Sequence, residues 1–194
     1  MEPVTLRTAR LVLSVPEPDD VDDIAAYCTD PLFEKYLTTP WPYRREHAED
    51  FVTQFVPSGW RFGSELVWAL RERPGGPLLG VVGLHRRRAL EPESRDVGYW
   101  LGAPHRGRGY MAEAVRAVVD WFQASEPGGL VYWECAVGNV ASARTARAAG
   151  FRYTGTGPSQ VAMRDGSHPP HWHGERRAGS VGEPALPWPD QVHV

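Results

Sequence analysis

Lysine is nearly absent from this 194-residue chain. Lys35 is the only one, and arginine carries the rest of the positive charge. With 21 basic against 24 acidic side chains, the formal net charge is −3. No excess of positive charge exists to draw the chain broadly onto nucleic acid or anionic lipid. Cysteine is equally scarce. Cys28 and Cys135 lie far apart in sequence and show neither the close pairs that bind metals or run redox chemistry nor the density of a disulfide scaffold. Both are expected reduced and buried, behaving as small hydrophobes. No apolar stretch approaches the ~20 residues that span a bilayer, and Met1-Glu2-Pro3 lacks the basic-then-apolar start of a secretory signal. A soluble cytoplasmic protein with no membrane or nucleic-acid partner is the expectation.

What the chain does have is core. Its 42% hydrophobic and 23% charged content suits one globular domain. Leu11, Leu13 and Val15 alternate with polar neighbours inside Leu6 to Val15, a strand or hairpin arm. Pro18-Asp19-Asp20 opens a helix with Val21, Ile24 and Cys28 on one face, ended by Pro31. A helical turn through Phe33, Tyr36 and Leu37 precedes an irregular loop, Thr39-Pro40-Trp41-Pro42-Tyr43. Residues 45 to 56 are helical, pairing Phe51 with Phe55 and Val52 with Val56.

Leu66 to Glu72, Leu78 to Leu84 and Val97 to Leu101 read as strands, the first two joined by Pro74-Gly75-Gly76-Pro77. Arg86-Arg87-Arg88 is a solvated strand end or a substrate contact. Leu130 to Val137 is a further strand. Val161-Ala162-Met163 and residues 172 to 177 are expected to pair about Asp165-Gly166. Residues 1–178 make the domain. Residues 179–194, with Pro184, Pro187 and Pro189, make a tail with little structure of its own, whose Trp188 docks on the domain or on a second subunit. Helices, a meander, then β-α-β-α and two last strands give an α+β fold.

Between the strand ending at Leu101 and the helical spacing of Met111, Ala114, Val115, Val118, Val119 and Phe122 lies Arg106-Gly107-Arg108-Gly109-Tyr110-Met111. A strand, a Gly/Arg loop and a helix N-terminus form an anion site, because unpaired N–H groups and the positive helix end converge there. Gly107 and Gly109 allow close approach of a phosphate, with Arg106 and Arg108 as charged flanks. Downstream, Val137-Gly138-Asn139-Val140-Ala141-Ser142-Ala143-Arg144, ending in Ala149-Gly150-Phe151, again joins a strand to a helix that stops at glycine.

Together these two motifs resemble the GNAT superfamily of acyl-CoA-dependent N-acyltransferases, in the RimJ/RimL-like branch of ribosomal-protein N-terminal acetyltransferases. The resemblance spans roughly residues 5 to 178. It implies a GNAT fold: a mixed, mostly antiparallel sheet of six to seven strands, flanked by helices. The sheet splays between its fourth and fifth strands, here 96–101 and 130–137. It implies acetyl-CoA or another acyl-CoA as co-substrate, with no metal, and transfer of the acyl group to a primary amine by direct attack in a ternary complex. Arg106 to Met111 would hold the pyrophosphate, and backbone groups of Trp100 and Leu101 the pantetheine, with the Leu101 N–H as oxyanion donor.

Many relatives place a tyrosine seven residues after the motif asparagine to serve the leaving thiol. Here Ala146 stands there, and Met111 replaces the last small residue of the phosphate loop. Ser142 either donates to the sulfur or satisfies the first turn of its helix; Asn139 caps that helix, binds pantetheine amides, or both. Asp96 and Glu134 are the candidate bases, and an ion pair is the alternative role for each. Tyr36, Trp41, Tyr43 and Trp60 are candidates for an aromatic wall around a small-molecule or peptide N-terminal amine, or for packing.

His168, His171 and His173 could approach a metal, but no carboxylate or cysteine stands at diagnostic spacing. His105 is expected to stabilise the turn beside the phosphate loop. The competing readings are a non-catalytic acyl-CoA-binding module of GNAT fold and, more weakly, an RNA-contacting protein. Pairing through the last strands and Trp188 would make a homodimer.

Overall fold

Leu66, Val67, Trp68, Ala69 and Leu70 run without polar interruption, and each is at most 1% exposed. A continuous apolar strand needs cover on both faces of its sheet, and helices supply it. The computed structural model describes residues 1–87, 93–177 and 186–193. The strands are β1 (Leu6–Arg7), β2 (Val12–Ser14), β3 (Glu65–Arg71), β4 (Gly80–His85), β5 (Arg95–Leu101), β6 (Leu130–Ala136), β7 (Arg152–Pro158) and β8 (Pro170–Arg177). They form one sheet in the order β1-β2-β3-β4-β5-β6-β8-β7. The count reaches eight because the first alternating segment folds as two short arms, Leu6 opposite Leu13.

Every neighbouring pair is antiparallel except β5 and β6. These run parallel and pair only at Arg95–Val131 and Asp96–Tyr132; beyond that point they diverge. The expected splay is therefore present, at the expected strands.

The helices are α1 (Val21–Tyr27), α2 (Pro31–Tyr36), α3 (Arg45–Asp50), α4 (Val56–Phe62), α5 (Tyr110–Ser125) and α6 (Val140–Ala148). Trp100 packs edge-on against Tyr27 of α1 and Phe33 of α2. Its neighbour Tyr99, on the opposite face, reaches α6. The sheet is thus sandwiched at β5, with α1 and α2 on one side and α5 and α6 on the other. The Asp20–Arg71 pair, 2.5 Å apart with side chains only 4% and 6% exposed, ties the start of α1 to β3. Arg71 also donates to Gly76 O at 2.9 Å.

Three readings are corrected and a fourth is narrowed. Pro31 is not a stop but the first residue of α2, capped by Asp30 Oδ1 accepting from the Leu32 N–H at 2.9 Å; the missing proline N–H costs nothing there. The helix expected over 45–56 continues to Phe62, because a π turn at Phe51–Phe55 widens it just before Pro57. The partner of β8 is β7, not residues 161–163. Gly155, Gly157 and Pro158 disguised that strand as a loop, and it is an edge strand with a register shift between Tyr153 and Gly155, where such residues are tolerated. Finally, residues 186–193 pack on the domain: Trp188 lies 5.7 Å from the Trp133 ring and 5.5 Å from Tyr153, and Leu186 N donates to Tyr153 O. Arg88 and residues 178–185 fall outside the described residues. Among the described residues, no helix is long and apolar enough to cross a membrane.

Candidate active site

Antiparallel pairing turns alternate residues of β5 toward β4 and away from it. Gly102 N donates to Leu79 O, so the peptide groups of Trp100 face β4, while those of Tyr99 and Leu101 face the gap left by β6. Arg106 Nε donating to Leu101 O at 3.1 Å from that side agrees. This supports Leu101 as an outward-facing N–H. The peptide groups of Trp100, expected to face the pantetheine, are turned into the ladder, and those of Tyr99 open into the gap. The Trp100 side chain nevertheless lines the cleft.

That cleft has a volume of about 660 Å³ and runs from the Arg106–Gly109 loop, between β5 and α6, to Phe33 and Tyr36 of α2. At its mouth, among the described residues, the N–H groups of residues 107 to 112 have no backbone acceptor; the first hydrogen bond of α5 is Glu113 N to Gly109 O. Gly107 and Gly109 both have φ of 76°, a conformation that only glycine adopts without strain. Met111 turns its side chain into the core, 5% exposed, and leaves its N–H at the helix end.

The arginines are arranged differently from a simple pair of phosphate clamps. Arg106 Nη1 lies 2.8 Å from Asp30 Oδ2, which fastens the loop to the cap of α2. Arg108 is exposed, and its carbonyl accepts from Arg10 Nη1 at 2.9 Å. Arg10 in turn pairs with Glu113 and lies over the Tyr110 ring. Tyr110 is buried with its hydroxyl on Glu72, so only its backbone faces the mouth. His105 Nε2 meets the Tyr27 hydroxyl at 2.9 Å, a turn-stabilising contact.

Deeper in, Asn139 Oδ1 accepts from Ser142 N at 3.2 Å and caps α6. Ser142 Oγ accepts from Trp133 Nε1 at 3.2 Å. The Tyr99 hydroxyl donates to Ser142 O at 2.9 Å and lies 3.1 Å from Oγ. Burial pushes the Tyr99 phenol up, so it is a neutral donor. Tyr99 was missed in the sequence; its place on the same strand face as Val97 was the available signal. Cys135 is buried, donates to Asn139 O and is pushed up to about 12 by burial. That rules it out as a resting thiolate.

On the other face of the sheet stand Asp96 of β5 and Glu134 of β6. Burial, then the nearby Glu134 charge, pushes the Asp96 carboxyl up to about 6 against the pull of His85 and Arg87. Arg87 Nη2 lies 3.5 Å away, the ion pair that is the alternative role for Asp96. Glu134 accepts from Gln160 N at 2.8 Å and Val161 N at 3.2 Å, with His173 Nδ1 at 3.6 Å. Its oxygens are therefore engaged by a loop, with His173 beside them.

Of the aromatic wall, Tyr36 lines the cleft. Trp41 packs against the core's edge. Tyr43 and Trp60 are corrected to core residues. Tyr43 is 9% exposed and stacks edge-on with His47, and Trp60 is 1% exposed, donates to Val67 O and packs 5.0 Å from Trp68. His168 and His171 each meet a backbone carbonyl, of Ser159 and Pro169.

The GNAT acetyltransferase domain model matches residues 10–152. The chain belongs to that family. Over 120 residues it is 28% identical to an uncharacterized N-acetyltransferase, p20, of Bacillus licheniformis, across 60% of this chain and 65% of that protein. The chain thus spans just under two thirds of that relative. Among solved structures, Mycobacterium smegmatis RimJ in complex with a CoA disulfide superposes with a TM-score of 0.75 at 16% identity, covering 94% of this chain and 90% of that one. RimL, a ribosomal L7/L12 alpha-N-protein acetyltransferase in complex with coenzyme A, gives 0.75 at 18%, covering 90% and 98%. Its structural neighbours thus include the RimJ/RimL-like branch that the motifs resemble.

Proposed function

We propose that this protein transfers an acetyl or other short acyl group from coenzyme A to the primary amine of a peptide N-terminus or small molecule, in a ternary complex. The observation that carries the reading is the row of unpaired N–H groups at residues 107 to 112, at the mouth of a cleft that leads into the β5/β6 gap.

The pyrophosphate sits on those N–H groups and the positive end of α5. The pantetheine arm follows the cleft past Tyr99, Leu101 and Asn139. The Leu101 N–H, fixed in direction by the ladder on its other side, receives the oxyanion as the amine attacks. Holding both substrates in this geometry supplies much of the acceleration. The departing sulfur has a pKa near ~8.5 and needs a hydrogen bond more than a strong acid. Ser142 supplies it. Its Oγ accepts from Trp133 and lies 3.1 Å from the Tyr99 hydroxyl, and turning its proton into the cleft exchanges that contact for the sulfur. Tyr99, whose one proton goes to Ser142 O, holds that serine in place. This supports a catalytic protein over a binding module. Asp96 places negative charge on the acceptor side of the strand.

Calorimetric titration with acetyl-CoA, succinyl-CoA and free coenzyme A tests the reading, followed by thiol release with a panel of peptides bearing free N-termini. Micromolar binding with one acyl form preferred, and turnover on an amine, is the expected outcome. Binding of none of the three would overturn it, and binding without turnover on any amine would leave an acyl-CoA-binding module.

A further inference from the structure

Glu65, His85 and Asp96 are register partners on β3, β4 and β5. Strand alternation puts them on the same face as Trp100, the face opposite α6. His85 Nδ1 meets Glu65 Oε2. A carboxylate oxygen accepts, so Nδ1 is the donor in this contact and, in the neutral ring, Nε2 carries the lone pair. Both side chains are 17% exposed.

The ring lies flat along the strands over two glycines. A methyl group placed on Gly83 would come within 2.9 Å of its Cε1, and one placed on Gly98 within 2.9 Å of its Nε2. Gly98 immediately precedes Tyr99, whose peptide opens into the gap. Nε2 therefore lies over β5 at Gly98, on the face that carries Asp96 and Trp100 and three residues along the strand from Leu101. Arg87 stands 4.0 Å from Glu65 and 3.5 Å from Asp96, and Glu134 and His173 face the same side from β6 and β8.

Resting on the acyltransfer reading above, we propose that His85 Nε2 is the proton acceptor for the incoming ammonium, with Glu65 as its positioning residue. The imidazole takes one proton from R–NH3⁺. The freed nitrogen lone pair forms the C–N bond, the C–S bond breaks, and the second nitrogen proton passes to the departing sulfur by way of Ser142 or solvent. The products are the amide, the free thiol and an imidazolium that returns its proton to water. Asp96 favours the cationic states without accepting the proton.

The test uses the full chain, acetyl-CoA and a peptide with a free N-terminus. His85→Gln should lose on the order of a hundredfold in kcat/KM, while calorimetric acetyl-CoA binding stays unchanged. The acid limb of the kcat/KM–pH profile should vanish in His85→Gln and survive in Asp96→Asn. Glu65→Gln should lower kcat with little change in the KM for acetyl-CoA. Independently of any acceptor, ring ¹⁵N resonances of His85 should show the neutral tautomer protonated at Nδ1. Full turnover in His85→Gln, an acid limb that follows Asp96 instead, or a proton on Nε2 would overturn the assignment while the acyltransfer reading stands. A wild type that binds no acetyl-CoA would overturn both.

Discussion

The Tyr99 hydroxyl donates to the carbonyl of Ser142 at 2.9 Å and lies 3.1 Å from the same residue's Oγ. A strand residue and a helix residue separated by 43 positions thus form one polar group at the end of the cleft. Tyr99→Phe is expected to lower kcat by about tenfold, and Ser142→Ala by ten- to a hundredfold, the scale of losing a donor that serves developing charge. Acetyl-CoA binding should hold in both. Steady-state thiol release with parallel calorimetry checks this. Full turnover in the two variants would reduce Ser142 to a partner of the α6 cap.

At the mouth, Gly109→Glu should abolish acyl-CoA binding, because a carboxylate would occupy the anion's place at the α5 N-terminus. Gly107→Ala meets no neighbouring atom but keeps φ at 76°, so it should cost about 1–2 kcal/mol of stability through backbone strain. Calorimetry for the first and thermal unfolding for the second separate the two effects.

Asp96 links stability to pH. Its carboxyl is raised from 3.8 to about 6, chiefly by burial. Between those values the folded protein keeps a proton that the unfolded chain releases, so the stabilisation present below the unfolded value is lost as pH rises through about 6. The loss is on the order of 3 kcal/mol. In urea titrations, Asp96→Asn should match the wild type near pH ~4 and exceed its stability by roughly 2–3 kcal/mol near pH ~8. Parallel pH dependence of the two proteins would contradict it.

The buried Asp20–Arg71 pair predicts a structural rather than a catalytic defect. Asp20→Asn should destabilise the protein by about 3–5 kcal/mol, since Arg71 would keep its charge without a counter-charge. Chemical denaturation measures this, and KM for acetyl-CoA should be unchanged in the protein that remains folded.

The legible parts of this chain are those whose signal is local. The unbroken run at Leu66–Leu70, the helical spacing from Met111 to Phe122 and the paired glycine loops each state their structure within a few residues. The illegible parts depend on partners distant in sequence. Whether Arg106 faces a phosphate or Asp30 depends on a helix cap 76 positions earlier, and Trp60 reads as a wall residue until Trp68 and Trp121 are packed around it. β7 hides behind two glycines and a proline because an edge strand asks little of its sequence. Tyr99, His85 and Glu65 carry no motif; only the register of three strands, β3, β4 and β5, brings them together.

Arg164 donates to the carbonyls of Glu34, Leu37 and Thr39, stapling the loop that holds Glu134 to the end of α2, whose Phe33 and Tyr36 line the cleft. A coenzyme settling against α2 would therefore also brace the loop on the acceptor side. The kinetic signature is a compulsory order of addition: donor first, acceptor second, product amide released before free thiol. Replacing Arg164 would loosen that order toward random entry.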